Sequence, residues 1–265
     1  MGTKLISHKY ILLFILLIAA AVLWPTINND VLLWDDESYI TNNELIKELS
    51  TGQISNTFST VQVNGTYAPL SIVSWSLDYF ITELNPSTFH WHNLILHLLN
   101  IVLVYLIIQG LFKDKLVTFI TTMLFAIHPM HVESIAWISG RKDLLYSLYF
   151  LLAILSYQQF SKSETRKLFW LTVCFIMACL SMFAKGMAIT LPAVLILIDY
   201  LDQRLDRKRM LQKIPFVIVS ISFLAVGMLA QKEGQALDLN TQSVGSGFLI
   251  AASGLTNYLY QLVVP

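Results

Sequence analysis

The chain is poor in charge and in cysteine. Only 13% of its 265 residues are charged, whereas soluble domains carry about 25% charged residues, and this excludes an ordinary soluble domain. The formal net charge is zero, which argues against nucleic acid as a partner because proteins that bind nucleic acid carry a basic surface. The two cysteines, Cys174 and Cys179, would point in different directions on one helix, so we expect no disulfide between them.

Apolar sequence is abundant, with 55% hydrophobic residues. About eight apolar runs are candidate spans, several of them shorter than the roughly 20 residues of a straight span, and we expect those helices to end early at a cavity. The runs are Tyr10–Trp24, Asn93–Leu111, Leu116–Ile127, Leu144–Gln158, Leu168–Ala184, Met187–Tyr200, Ile214–Ala230 and Phe248–Val264. We therefore predict an all-α integral membrane protein, a polytopic helical bundle in which residues 1–265 form a single transmembrane domain.

The distribution of Lys and Arg predicts a cytoplasmic N-terminus, because inside loops carry an excess of these residues. With strict alternation of the spans, most of the 17 lysines and arginines fall inside. The basic residues that fall outside are Lys47, Arg141, Lys142, Lys185 and Lys232.

Three consecutive acids, in Trp34-Asp35-Asp36-Glu37, follow the first apolar run. Charge at a membrane face is costly to dehydrate, and of two paired carboxylates one can take a proton while the other holds a cationic group or a metal. These acids lie in an outer segment, residues 25–89. Within it, Glu44–Leu49 and Ser71–Phe80 are predicted to be short juxtamembrane helices, and Thr51–Tyr67 is predicted to be a loop.

Further polar residues are predicted at the same outer face. His128, His131 and Glu133 surround Pro129, which would bend the third span, and they are candidates for binding a cation or a phosphate. Arg141 and Lys142 open the fourth span, where a helix N-terminus favours an anion. Lys185 lies in a tight outer turn from which it can reach a phosphate at the membrane surface.

Each of these features also has a plainer interpretation. The acids fit a solvated helix cap, the histidines fit interfacial hydrogen bonding, and the cations fit contacts with lipid head groups. Asn93, His97 and Asn100 share one helical face, which favours contacts between helices over chemistry. Asn64-Gly65-Thr66 matches a glycosylation sequon, but the motif is common by chance. The location of acids, imidazoles and cations on one face favours a site for a negatively charged substrate held in the membrane.

The ordered set of motifs resembles the GT-C superfamily of membrane glycosyltransferases. In particular it resembles the transmembrane-and-tetratricopeptide-repeat O-mannosyltransferase family and its bacterial relatives, from Trp34 onward. The motifs are Trp34-Asp35-Asp36, Tyr67-Ala68-Pro69-Leu70, Phe89-His90 with Asn93, His97 and Asn100, Phe125-Ala126 with His128-Pro129, His131 and Glu133, Gly140-Arg141 with Asp143-Leu144-Leu145, and Lys185-Gly186-Met187-Ala188 with Leu191-Pro192. Relatives usually carry more spans and then tetratricopeptide repeats, but no 34-residue repeat is present here. The apolar end at Val263-Val264-Pro265 predicts an N-terminal fragment or a truncated gene product. Gly186 stands where some relatives have Glu.

The resemblance implies transfer of a sugar, mannose for example, from a polyprenyl-phosphate donor to a protein or glycan acceptor. A carboxylate would deprotonate the acceptor, with Asp36 preferred as the base and Asp35 as its partner. Arg141, Lys142 and Lys185 would stabilise the leaving phosphate. The residues expected to orient the substrates are Glu37, Tyr67, His90, His128, His131 and Glu133. A divalent metal such as Mg or Mn is left open, with Asp36, His128, His131 and Glu133 as its candidate ligands.

Two other functions are kept as alternatives. A transporter or flippase-like protein would carry ionisable residues deep in several spans and internal repeats. A non-catalytic membrane fragment would tolerate replacement of Asp35 and Asp36. The outer face would be the periplasmic side of a bacterial inner membrane, or the lumen of the endoplasmic reticulum in a eukaryote.

Overall fold

The computed structural model describes residues 7–60, 63–234 and 244–264, and these residues confirm the all-α prediction. Within these residues, Val63 and Thr66 form an isolated antiparallel β-bridge. The helices are α1 (His8–Leu23), α2 (Thr51–Ser59), α3 (Pro69–Thr82), α4 (Pro86–Phe112), α5 (Lys115–Ile127), α6 (Val132–Ala136), α7 (Arg141–Lys162), α8 (Lys167–Ala184), α9 (Leu191–Leu201), α10 (Arg207–Leu211), α11 (Ile214–Glu233) and α12 (Val244–Val263).

The membrane-capable helices are fewer than predicted. Within the described residues, 4 helical segments are long and apolar enough to cross a membrane, namely His8–Asn28, Pro86–Phe112, Lys167–Ala184 and Arg207–Glu233. A fifth results if α5 and Pro129–Ala136, which meet at 47°, form one bent span. The runs Leu144–Gln158, Met187–Tyr200 and Phe248–Val264 are helical but are not among these segments, so the expected count of about eight spans is not confirmed.

Local sequence explains the turn that joins α4 to α5. Asn85 caps the start of α4 by accepting a hydrogen bond from the Ser87 N–H at 3.1 Å. At the other end, Lys113 follows the last residue of α4 and adopts the left-handed conformation. Asp114 then caps α5 by accepting from two backbone N–H groups. Because only two residues separate the helices, they pack side by side as an antiparallel pair.

Helix α7 is the central element of the bundle, and it packs against α4 and α8. The core around its second half contains Tyr157, Phe160, Cys174, Leu195 and Phe216. Both cysteines are free thiols, as expected.

The outer segment is folded over its own apolar core, which contains Tyr39, Ile40, Ile46, Ile72, Trp75, Phe89 and Ile138. Ser71–Phe80 lies within α3 and confirms that predicted helix. The prediction for Thr51–Tyr67 was wrong in its first half, because Thr51–Ser59 forms α2 and the Ser50 hydroxyl caps it by accepting from the Gln53 N–H at 3.2 Å. The helix predicted at Glu44–Leu49 is a single 3-10 turn at Glu44–Ile46. Burial of each large apolar side chain contributes about 1.5–3 kcal/mol, so this core fixes the segment that carries the acids.

Candidate active site

The two adjacent aspartates have different surroundings. Asp36 is fully buried, and its carboxylate accepts hydrogen bonds from the Leu32 N–H at 3.2 Å and from both the N–H, at 2.8 Å, and the hydroxyl of Ser139. Ser139 lies two residues before the start of α7, so its hydrogen bonds with Asp36 attach the outer segment to the start of that helix. A carboxylate enclosed in this way cannot reach an acceptor hydroxyl without breaking these bonds, and the preference for Asp36 as the base is not supported by its placement.

Asp35 is the accessible acid of the pair. Its side chain is 27% exposed and forms an ion pair with Lys142 at 3.4 Å. Asn64 donates a hydrogen bond from Nδ2 to the Asp35 Oδ1 at 3.1 Å. Asp35 and Asp36 directly precede a π-helical turn, Glu37–Thr41, a rare geometry that is frequent at functional sites. The turn directs one carboxylate inward and leaves the other at the surface.

A second ion pair lies beside the first. Lys185 contacts Asp143 at 2.6 Å, and both side chains are partly exposed. Lys142 and Lys185 are close enough to repel each other electrostatically. We call Asp35, Lys142, Asp143 and Lys185 the rim cluster. It has two anions and two cations, so an incoming phosphate can exchange for a carboxylate at a lysine without leaving the cation unpaired.

The position of Lys185 is fixed by its backbone. The residue lies in extended conformation between the end of α8 and the 3-10 turn Gly186–Thr190. Ser71 of α3 donates a hydrogen bond to the carbonyl of Ala184 at 2.9 Å. This contact holds the lysine-bearing turn against the outer segment.

Tyr39 packs against the rim cluster through Lys142. The Lys142 Nζ lies 3.7 Å from the centroid of its ring, and its hydroxyl donates to the carbonyl of Val63 at 3.0 Å. Burial raises the pKa of Tyr39 from its ordinary 10.0 to about 12. The phenol therefore stays neutral at physiological pH and acts as a hydrogen-bond donor and a cation–π partner.

Arg141 has a structural setting that differs from its predicted role. It is 1% exposed and forms an ion pair with Asp78 at 2.5 Å. Its other donors are taken by the Asn93 Oδ1 at 2.8 Å and by the carbonyls of Phe89, at 2.7 Å, and Ser74, at 3.3 Å. Arg141 therefore joins α3, α4 and α7 and is not placed to bind a donor phosphate at the surface.

The other predicted substrate-orienting residues are dispersed over the outer segment and the bent α5–α6 region. Glu37 is exposed and accepts a hydrogen bond from Asn42 at 3.2 Å. Tyr67 donates its hydroxyl to the carbonyl of Phe58 at 3.0 Å. His90 is fully buried, and His131 packs against Phe125 with the ring centroids 4.6 Å apart.

Of the candidate metal ligands, His128 and His131 are neighbours, with ring centroids 6.3 Å apart, but the other two lie elsewhere. His128 lies 3.1 Å from the carbonyl of Leu262, Asp36 is enclosed by Ser139, and Glu133 is exposed. Across residues 7–60, 63–234 and 244–264, no group of three or more His, Cys, Asp or Glu side chains could hold a metal ion.

The polar stripe on α4 connects helices, as predicted for such a stripe. Asn93 donates to the carbonyl of Trp137 at 3.0 Å, and Asn100 donates to the carbonyl of Leu144 at 3.0 Å. His97 lies 3.0 Å from the carbonyl of Ala126. All three side chains are buried, so they stabilise the packing of α4 and do not face a substrate.

A cavity of about 740 Å³ opens next to Trp34. It lies between the start of the outer segment and the bent α6 region, and its surface is mainly apolar. The lining residues are Asn29, Asp30, Val31, Leu32, Trp34, Glu133, Ala136 and Trp137. An apolar groove with carboxylates at its border, one residue along the chain from Asp35, can hold part of an amphiphilic ligand.

Sequence reasoning missed two buried acids. Asp78 lies on α3, where its only sequence signal is a carboxylate on the otherwise apolar face of an amphipathic helix; besides Arg141 it pairs with His92. Asp199 lies in the apolar helix α9, beside the second half of α7. It is fully buried and pairs with Lys213 and, at 3.1 Å, with Arg209. Tyr157 donates a hydrogen bond to Asp199 at 2.6 Å. Neither acid was predicted because its cationic partner lies on another helix.

Comparison with known proteins identifies relatives for the membrane helices. The chain is 47% identical over 95 residues to the protein O-mannosyl-transferase TMTC1 of Mus musculus, a match that covers 36% of this chain and 10% of the relative. It is 37% identical over 143 residues to TMTC1 of Homo sapiens, covering 51% of this chain and 16% of the relative. It is 30% identical over 199 residues to TMTC2 of Mus musculus, covering 71% of this chain and 24% of the relative.

The chain thus spans between about a tenth and a quarter of the length of these relatives. No family model matches it, and no solved structure matches it. The matched part agrees with the resemblance that the sequence motifs carry. The chain is a homologue of the N-terminal membrane part of the TMTC protein O-mannosyl-transferases.

Proposed function

We propose that this chain forms the donor-binding part of a membrane glycosyltransferase. It moves a sugar, mannose by analogy with the names of its relatives, from a polyprenyl phosphate to a hydroxyl of a protein acceptor. The observation that carries the proposal is the partly exposed Asp35, which pairs with Lys142, together with the neighbouring ion pair of Lys185 and Asp143. A carboxylate and cations at one membrane face match an acceptor hydroxyl on one side and a departing phosphate on the other.

Three residues of the rim cluster have a role in this proposal. Asp35 takes the proton of the acceptor hydroxyl as the oxygen attacks the anomeric carbon. The bond from that carbon to the phosphate oxygen breaks, and the phosphate leaves on the polyprenyl chain with both electrons. Lys185, with Lys142 beside it, stabilises the charge that develops on the phosphate. Asp36 holds the backbone that carries Asp35.

The cavity beside Trp34 supports the choice of an amphiphilic donor. Its apolar lining suits the first isoprenoid units of the carrier, while the phosphate lies at the surface near the rim cluster. The described His, Cys, Asp and Glu side chains do not supply a three-ligand metal site, and no step is assigned to a divalent metal.

The distribution of charge supports a proposed orientation in the membrane. The end of the bundle opposite the rim cluster carries the basic loops around Lys162 and Arg207, and cytoplasmic loops are enriched in such residues. We propose that the rim cluster faces the periplasm, or the lumen of the endoplasmic reticulum in a eukaryote, and that the N-terminus is cytoplasmic.

The test uses membranes that contain the chain, a labelled polyprenyl-phosphate mannose and a peptide rich in Ser and Thr. We expect release of polyprenyl phosphate, and we expect Asp35→Asn to lower the turnover rate by about 10²–10⁴-fold, the usual contribution of a general base, while the protein stays folded. The matched control is Asp36→Asn, which removes the neighbouring charge and should instead lower the free energy of unfolding by about 1–3 kcal/mol, because it breaks buried hydrogen bonds.

Turnover that survives in Asp35→Asn would reject this residue as the base. A folded wild-type chain that releases no polyprenyl phosphate from any sugar donor would favour a transporter or a non-catalytic membrane fragment. Addition of EDTA, followed by Mg or Mn, separately tests the need for a divalent metal.

A further inference from the structure

A two-residue hairpin turn lies beside Asp35. Val63 and Thr66 exchange backbone hydrogen bonds, each 3.0 Å long. The residues between them have positive φ angles, 53° at Asn64 and 71° at Gly65. These are the features of a type I′ turn, for which Asn-Gly is the strongly preferred sequence. The turn therefore fixes the direction of the Asn64 Cα–Cβ bond.

The amide of this turn binds the carboxylate that we propose as the base. Asn64 donates to the Asp35 Oδ1 at 3.1 Å, while Lys142 contacts Oδ2 at 3.4 Å. Each carboxylate oxygen thus has its own partner, one from the hairpin and one from α7. Two partners on different oxygens restrict rotation of the carboxylate, which a single ion pair would not.

The hairpin is itself held from two sides. On one side the Tyr39 hydroxyl donates to the carbonyl of Val63, and Lys142 lies over the Tyr39 ring. On the other side the end of α11 packs against the turn, because a Cβ added at Gly234 would lie 2.5 Å from the Cα of Gly65. The amide is therefore presented by a supported turn and not by a free surface loop.

We propose that Asn64 is a positioning residue that fixes the orientation of the Asp35 carboxylate. The consequence for catalysis rests on the proposed function, in which Asp35 takes the proton of the acceptor. The Asn64 side chain has this internal use even though the residue also heads the Asn64-Gly65-Thr66 sequon.

Two substitutions separate the amide from the turn. Asn64→Asp and Asn64→Gly both keep a sequence that a type I′ turn accepts, since Asp-Gly and Gly-Gly are also preferred there. The first replaces the donor with a like charge and the second removes the side chain. Asn56→Asp is the matched control, because it makes the same chemical change at an exposed position of α2.

The first readout does not require activity. A carboxyl oxygen attacks the carbodiimide in this labelling reaction, so the rate at which Asp35 is labelled reports how firmly its two oxygens are held by their partners. We expect both Asn64 variants to label Asp35 about three- to tenfold faster than the wild type, from the loss of one hydrogen bond to a charged group. Mass spectrometry gives the rate, with exposed Asp202 as the internal reference. Labelling rates that stay at the wild-type value in both variants would overturn the proposal.

The second readout is kinetic. Both variants should lower kcat about tenfold and leave the KM for the polyprenyl-phosphate sugar unchanged, because the amide contacts the base and not the donor. Asn56→Asp should match the wild type in both readouts. A turn with only a structural role predicts normal kcat in Asn64→Asp.

The two hypotheses fail in different ways. A wild-type chain without transfer activity, in which the Asn64 variants still label Asp35 faster, would support the positioning contact and overturn the transfer reaction. Active wild-type protein with unchanged labelling and unchanged kcat in Asn64→Asp would overturn the positioning role alone.

Discussion

At one end of α7, Lys142 and Asp143 form ion pairs with side chains that solvent reaches, whereas at the other end Tyr157 faces Asp199, which is fully buried. Both ends contain carboxylates and basic side chains on neighbouring helices. At the buried end, one carboxylate is shared by Lys213, Arg209 and the Tyr157 hydroxyl. At the exposed end, each carboxylate has one lysine, and the pairs lie side by side.

The comparison distinguishes charged side chains that stabilise the bundle from charged side chains that can contact a ligand. Breaking a buried pair leaves an uncompensated charge away from water and is strongly destabilising. Exposed pairs contribute little to stability because water replaces a lost partner, and in the rim cluster this applies to the Lys185–Asp143 pair, since the Lys142 side chain is only 10% exposed. A substrate can therefore displace the partner of Lys185 at small cost, but not a partner of Asp199.

The largest expected effect comes from breaking the buried end. Asp199→Asn removes the carboxylate that Lys213 and Arg209 share, and we expect it to lower the free energy of unfolding by about 3–5 kcal/mol, the usual cost of removing one partner of a buried pair. Denaturant titration in mixed micelles, followed by circular dichroism at helical wavelengths, measures the change.

The control is Asp202→Asn, which removes an exposed carboxylate three residues along the same chain segment and should change the free energy of unfolding by less than about 0.5 kcal/mol. Equal stabilities for the two variants would contradict the distinction between buried and exposed charge.

A slightly smaller effect is expected at the Asp78–Arg141 pair, which tests whether burial or location decides the outcome. This pair lies at the same end of α7 as the rim cluster but is buried. Asp78→Asn should lower the free energy of unfolding by about 3 kcal/mol, because the Arg141 guanidinium keeps its hydrogen bonds to Asn93 and Phe89 but loses its counter-charge. The same micelle titration measures it, and a change below 1 kcal/mol would show that this pair is not essential to the packing of α3 on α7.

The sequence could predict helices and a charged face, but not which charges are buried. Asp35 and Asp36 are adjacent acids, and only the contact with Ser139, more than 100 positions later in the chain, makes one of them structural. Arg141 and Lys142 are likewise adjacent, yet the helical turn directs one side chain to Asp78 and the other to Asp35. Such distinctions depend on the rotation of each helix against its neighbours, which local patterns do not specify.

The hydrophobic runs predicted where helices form but did not predict how many of them span the membrane. Each predicted run is largely helical, because period and length are local properties, although Met187–Tyr200 is divided between a 3-10 turn and α9. The number of spans was not predictable in the same way, since α7 is long but carries many polar residues that its neighbours satisfy. The start of the Thr51–Tyr67 segment was missed because Gly, Ser and Asn favour loops, while the cap at Ser50 and packing of α2 on α3 favour the helix.

A smaller loss of stability is expected on substitution of Tyr39, intermediate in size between the losses expected for buried and for exposed ion pairs. At neutral pH, Tyr39→Phe should lower the free energy of unfolding by about 1 kcal/mol, through loss of the hydrogen bond to Val63. The wild type should also lose stability at high pH, because the pKa of Tyr39 is about 12 in the folded protein and 10.0 in its ordinary state. Between these values the unfolded chain has released a proton that the folded state keeps, so stability falls by up to about 1.4 kcal/mol per pH unit as pH rises. The difference between wild type and Tyr39→Phe, measured from pH 8 to pH 12, isolates this loss from that of other tyrosines, and a constant difference would contradict the burial of the phenol.

The smallest effect on stability, and the sharpest test of the comparison, is expected at Lys185. Its ion pair with Asp143 is short, but both side chains are partly exposed, so Lys185→Met should change the free energy of unfolding by less than about 1 kcal/mol. If the lysine is kept at the rim to meet a phosphate, the same variant should lower kcat/KM for the polyprenyl-phosphate sugar by about 10–100-fold, the range expected when one charge-assisted contact to a developing charge is lost. Lys47→Met is the matched control, because Lys47 also forms an ion pair in the outer segment, with Glu44 at 2.5 Å, but lies outside the rim cluster. A variant at Lys185 that loses stability and retains kcat/KM would place this pair with the buried charges. Loss of kcat/KM without loss of stability would place it among the charges that a substrate contacts.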